Sequence, residues 1–228
     1  MSGSQRGATS PENVRIHPGS AEAGEIEIVE ERLMWENQLV RLFDDRVAVA
    51  GETPGERREQ DQFRLVHAES QVSGVVVVPI THDDRILMIR QFRHPVRMWM
   101  RELPRGGRKR GEAARDAAAR ELREEIGREA EELHYLGRVV TDSGQLEGCP
   151  HLFAARVGPR GSTEREAGEA IDAELSYGYT ELREEAERGR IVDGFTLCAL
   201  VRLAPHFEGD HFRFRAELAA ADELEGQD

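Results

Sequence analysis

The stretch that most limits what this chain can become is Glu112–Ile126, EAARDAAARELREEI, followed at once by Gly127. Five alanines between positions 113 and 119, with Glu and Arg around them, give strong helix propensity, and glycine is favoured just past a helix end. The pattern predicts one helix over 112–126. At about 100° per residue, Glu121, Glu124 and Glu125 share one arc of its surface, while Leu122 and Ile126 fall on the adjacent arc, where they can meet a core. Runs of Glu and Arg on such a helix are usually a solvated, ion-paired face. Three carboxylates on one arc repel, however, unless positive charge stands among them. Arg120 and Arg123 can supply part of it. A divalent cation supplies it better, and clustered carboxylates are hard oxygen ligands that suit Mg²⁺ or Mn²⁺ rather than zinc. Gly106, Gly107 and Gly111 precede the helix and allow a tight loop whose carbonyls turn toward the same cation. Hydrolysis of a phosphoanhydride needs such a platform: positive charge on the phosphate oxygens and an activated water at phosphorus.

Around this segment the apolar pattern alternates. Residues 25–49 read as two or three strands, and GETPGERREQ as a turn-rich break. QFRLVHAE, GVVVVPI, RILMIRQFRH and MWMRELPRGG read as strands, GVVVVPI as a buried one. Further strands are expected near 133–140, 151–157 and 173–179. Thr180 is expected to cap a helix running to about Arg188, and another helix starts at Gly194. Strands interleaved with helices predict an α/β (α+β) layered domain. The expected organisation is a disordered tail over 1–24, a small N-terminal β accessory domain over 25–70, a main domain over 71–218 and an acidic tail over 219–228.

The register Gly106, Glu112, Arg120, Glu121, Leu122, Glu124, Glu125, Gly127 resembles the Nudix box, G-x5-E-x7-R-E-U-x-E-E-x-G-U with U aliphatic. Arg128 departs from it, standing where an aliphatic residue is usual. IRQFRHPV with ELP-x-GG, TDSGQLEGCPHLF and GRIVDGFTLCAL resemble segments of the ADP-ribose pyrophosphatase branch of that family. The resemblance implies the Nudix fold, a mixed β-sheet sandwiched between helices. It implies Glu121 and Glu125 as direct metal ligands, with Glu124 beside them as a ligand or supporting group. Glu112 reaches the metal through water, the Arg105 backbone carbonyl is a further ligand, and Arg120 orients the carboxylates by ion pairing. Arg93, Glu102 and Glu147 match positions near the substrate. Arg105 replaces the small alanine typical of the branch and adds a cation there. The general base is expected on the loop 158–171, which offers Glu164, Glu166 and Glu169, the pattern favouring Glu166 or Glu169. Trp35, Trp99 and Phe92 are candidates to stack a base or to serve as core aromatics. His94, His134 and His151 read as strand histidines rather than ligands.

Composition narrows the partners. Lys+Arg is 31 and Asp+Glu 44, a net charge of −13, which disfavours a diffuse nucleic-acid-binding face. Lys109 is the sole lysine. No apolar run suits a membrane span, and the first residues carry no apolar leader core. Cys149 and Cys198 offer no disulfide framework, so a cytoplasmic setting is expected. The expected function is Mg²⁺-dependent (or Mn²⁺-dependent) hydrolysis of ADP-ribose or a related nucleoside diphosphate sugar to a nucleoside monophosphate and a sugar phosphate. The alternatives are another nucleoside diphosphate-linked compound, or a non-catalytic module that senses such a ligand. A homodimer formed through the accessory strands is implied by the resemblance.

Overall fold

VVVVPI has no polar position, and a strand can be apolar on both faces only when both are covered. In the computed structural model this run forms β5 (Val75–Ile80), buried at every residue. The structure describes residues 18–53, 55–67, 73–140, 142–163 and 170–215. They form two compact units divided between residues 71 and 72.

The first unit is an antiparallel sheet of β1 (Glu27–Glu30), β2 (Leu33–Glu36), β3 (Val40–Ala50) and β4 (Arg57–His67). β3 pairs with β4 over its whole length, from Val40↔His67 to Ala50↔Arg57, and with β2 and β1 in its two halves. The turn-rich break is therefore shorter than expected: the chain is already paired at Arg57. Residues 18–24, at the end of the expected tail, include a short 3₁₀ turn over Ala21–Ala23 whose N-terminus is capped by Ser20. Residues 1–17 and the acidic tail lie outside the described residues.

The second unit is built on a mixed sheet in the order β11-β6-β5-β10-β9. β6 is Ile86–Arg93, β9 Ala130–Arg138, β10 His151–Val157 and β11 Ile171–Tyr177. β10 runs parallel to β5, and the other pairings are antiparallel. β7 (Met98–Glu102) pairs with β6, and β8 (Arg105–Gly106) with β5. Side chains alternate across a strand. Val75 and Val77 thus meet α1 (Ala114–Glu121) through Ala114, Ala117, Ala118, Leu122 and Ile126. Val76 and Val78 meet α2 (Tyr179–Glu187) and α3 (Gly194–Leu203) through Leu182, Ala199, Leu200 and Leu203. A two-residue hairpin, β12 (Phe207–Glu208) with β13 (His211–Phe212), closes the second face.

Two helix expectations need correction. The 112–126 helix is α-helical only to Glu121 and continues as a π-helical turn over Leu122–Ile126. Thr180 does not cap α2: the cap is Gly178, and the Thr180 N–H is taken by Asp210 Oδ1 at 2.6 Å. Among the described residues, no helix is long and apolar enough to cross a membrane.

Candidate active site

Leu122 and Ile126 are fully buried beneath the sheet, each worth about 1.5–3 kcal/mol of burial, and they lock the helix in rotation. The acidic arc is then turned toward β8 and the glycine loop. Glu121 is 5% exposed and Glu125 1%, so both carboxylates need partners. Gly106 packs directly on Glu121: a Cβ built there would lie 2.1 Å from Oε1. Glu125 Oε2 accepts the Arg105 backbone N–H at 3.2 Å. Gly127 ends the π turn in the left-handed region with φ +66°, its N–H on Arg123 and the Arg128 N–H on Leu122, a Schellman-type stop.

Arg120 stands in the middle of the arc. Its Nη1 donates to Glu121 Oε1 and Glu124 Oε2, both at 2.7 Å, and its Nε to Glu112 Oε1 at 2.9 Å. Its Nη2 donates to Glu112 Oε2 at 3.1 Å and to the Gly107 carbonyl at 2.7 Å. Glu112 Oε2 also accepts the Lys109 N–H at 2.8 Å. The hydrogen bond to Arg120 holds the Glu112 carboxyl below the usual carboxylate range, and the same bond raises the Arg120 pKa above its ordinary value. Among the described residues no three acidic, histidine or cysteine side chains converge into an ion's shell as they stand. The guanidinium holds the central position instead. The donor set nevertheless fits a hard divalent cation. Three carboxylates already turn to one positive group, a fourth lies beside them, and all the side-chain donors are oxygens.

A second cluster adjoins the first through Arg105. Glu102, fully buried at the end of β7, accepts a hydrogen bond from Arg93 Nε at 3.1 Å and forms an ion pair with Arg93 Nη2 at 2.5 Å. Burial pushes the Glu102 carboxyl up, opposed by Arg93 and Arg105. Arg105 turns its guanidinium to this second cluster. Its side chain bonds Glu102 at 3.2 Å, pairs with Asp193 at 3.4 Å and stacks on Phe195 with 4.5 Å to the ring centroid. Asp193 caps α3 by accepting the Thr196 N–H at 2.9 Å. It was missing from the sequence-derived candidates, although an Asp three residues before a Thr at a helix start signals a cap.

Glu147 is half-buried on the loop before β10. Glu164, Glu166 and Glu169 lie outside the described residues. Both flanks of their loop are tied: Gly161 N–H bonds the Gly127 carbonyl at 2.7 Å, and the Ala170 carbonyl accepts the Phe92 N–H at 3.0 Å. The departing Arg128 is absorbed locally, bonding the Gly158 carbonyl and Glu174, each at 3.0 Å. Phe92 and Trp99 meet edge-on at 5.7 Å on the β6–β7 hairpin, with Arg90 over Trp99. Trp35 is 53% exposed on β2.

The NUDIX domain family model matches residues 70–195. Over 132 residues the chain is 32% identical to the methanol dehydrogenase activator of Bacillus methanolicus, covering 56% of this chain and 69% of the activator. It is 35% identical over 82 residues to the ADP-ribose pyrophosphatase of Bacillus subtilis, covering 36% of this chain but 44% of that protein. A crystal structure of an ADP compounds hydrolase shares the fold with a TM-score of 0.65 at 19% identity, covering 79% of this chain and 92% of that one. The family match spans the acidic arc, the glycine loop and the Arg93–Glu102 pair together. The chain belongs to the Nudix family and is a Nudix hydrolase resembling its ADP-ribose pyrophosphatase branch.

Proposed function

We propose that the chain hydrolyses ADP-ribose, or a related nucleoside diphosphate sugar, to a nucleoside monophosphate and a sugar phosphate, with Mg²⁺ as the physiological cation. The observation that carries this reading is the acidic arc of Glu112, Glu121 and Glu124 gathered on one guanidinium, with Glu125 on the Arg105 amide beside it. Glu121, Glu124 and Glu125, Glu112 through water, and the Arg105 carbonyl would hold the cation. When bound it neutralises phosphate charge and lowers the pKa of water. Arg120, anchored on Glu112 and the Gly107 carbonyl, would orient Glu121 and Glu124 as ligands for it. Arg93, its fork fixed by Glu102, offers a planar donor to phosphate or ribose oxygens. Glu147 contacts the substrate. Water attacks one phosphorus, the bond from that phosphorus to the bridging oxygen breaks, and the water proton passes to Glu166 or Glu169. A reducing, cytoplasmic setting suits the free thiols Cys149 and Cys198.

A phosphatase-coupled assay across nucleoside diphosphate compounds with Mg²⁺ tests the substrate. Selective release from ADP-ribose is the expected result, and equal rates on every compound would contradict it. The likeness to the methanol dehydrogenase activator supports a second reading, a role in stimulating a dehydrogenase. Ligand binding without turnover would favour it.

A further inference from the structure

His151 opens β10, is 1% exposed and takes no part in the site as described. Its Nε2 lies 3.3 Å from Arg108 Nη1, and its Nδ1 lies 3.3 Å from the Tyr135 hydroxyl. A guanidinium only donates, so Nε2 accepts, and the neutral ring carries its hydrogen on Nδ1, toward Tyr135. The backbone fixes the histidine as well: its N–H donates to the Gly74 carbonyl at 2.9 Å. The remaining Arg108 nitrogens turn to the loop ahead of α1. Nε and Nη2 both donate to the Glu112 carbonyl, at 3.2 and 3.0 Å. The Glu112 carboxylate in turn receives Arg120, which holds Glu121 and Glu124. Hydrogen bonds therefore run unbroken from a buried histidine on the central sheet to the acidic arc. The segment they cross, residues 107–113, belongs to no helix or strand. Gly107 and Gly111 within it leave its backbone few local restraints.

We infer that His151 and Arg108 are positioning residues for the cation site. The histidine acts as a hydrogen-bond acceptor that holds Arg108, and Arg108 fixes where Glu112 stands. The position of Glu112 sets the anchor of Arg120 and the readiness of the arc to take a divalent cation. A group that orients a ligating carboxylate from behind typically changes metal affinity by about 10–100-fold. This inference rests on the cation reading of the arc given above.

The test is a Mn²⁺ titration of the full-length protein without substrate, following free Mn²⁺ by electron paramagnetic resonance. Amide hydrogen exchange at Lys109 and Glu112 is read on the same samples. His151→Phe keeps a ring and removes the acceptor, and Arg108→Met removes the strut. Each is expected to weaken Mn²⁺ binding about tenfold or more and to speed exchange at both amides. His151→Gln, whose amide oxygen can accept in place of Nε2, is expected to restore tight binding. The double variant is expected to bind no more weakly than the weaker single one, because the two residues act through one bond. If His151→Phe does not fold, Arg108→Met, on a half-buried loop side chain, carries the test with the same expectation. Folded variants that bind Mn²⁺ like the wild type, or losses that simply add, would overturn the inference alone. A wild type that binds no Mn²⁺ would overturn the cation reading together with it.

Discussion

At Gly106 the space for a side chain is already taken by Glu121, whose carboxylate lies 2.1–2.4 Å from where a Cβ would be. Gly106→Ala must push that carboxylate out of the arc. We expect turnover to fall about tenfold or more while the fold loses about 1–3 kcal/mol, the usual range for overpacking. Steady-state rates and urea midpoints read the two effects separately, and a fully active Gly106→Ala enzyme would contradict the packing described. The carboxylates themselves were legible from spacing, since a period of 3.6 residues fixes which of them share an arc. The partners of that arc were not. Arg108 and His151 are 43 positions apart, and only the sheet brings them together. Nor did the sequence reveal the direction of Arg105. Its strand position turns its amide to Glu125 and its guanidinium to Glu102 and Asp193.

Element boundaries were legible where burial writes a pattern. β10 was expected over 151–157 and forms there, because it lies against β5 and is buried at six of its seven positions. β4 was partly missed because its first six residues are all exposed and polar. Its register comes from continuous backbone pairing with β3, which composition does not announce. The α-to-π change within the 112–126 helix was equally invisible: propensity describes helix, not its winding. That change occurs where Glu124 and Glu125 must both reach partners and where Gly127 must stop the chain. A methyl group at Gly127 would approach the Ser162 carbonyl oxygen at 2.8 Å, so the glycine of the box also seats the loop that leads to Glu166 and Glu169.

At the scale of the molecule, the first unit carries apolar side chains that its small sheet does not cover. Met34 is 61% exposed, Leu39 58%, Trp35 53% and Phe63 49%. Exposed apolar sets of this kind commonly mark an interface. We propose that a second copy of the chain covers this one, and light scattering is expected to give twice the mass of one chain. A single-chain mass at micromolar concentration would contradict the homodimer. The second unit holds every described residue of the candidate site, and its chemistry converges on one carboxylate that the fold has buried and paired with a backbone amide. Glu125→Gln preserves that side chain's shape while removing its charge. The most direct measurement is therefore ADP-ribose hydrolysis with Mg²⁺ by wild type and Glu125→Gln at matched melting temperature. The account predicts a loss larger than the about 10–100-fold that a supporting partner costs. Wild-type turnover by a folded Glu125→Gln protein would contradict it.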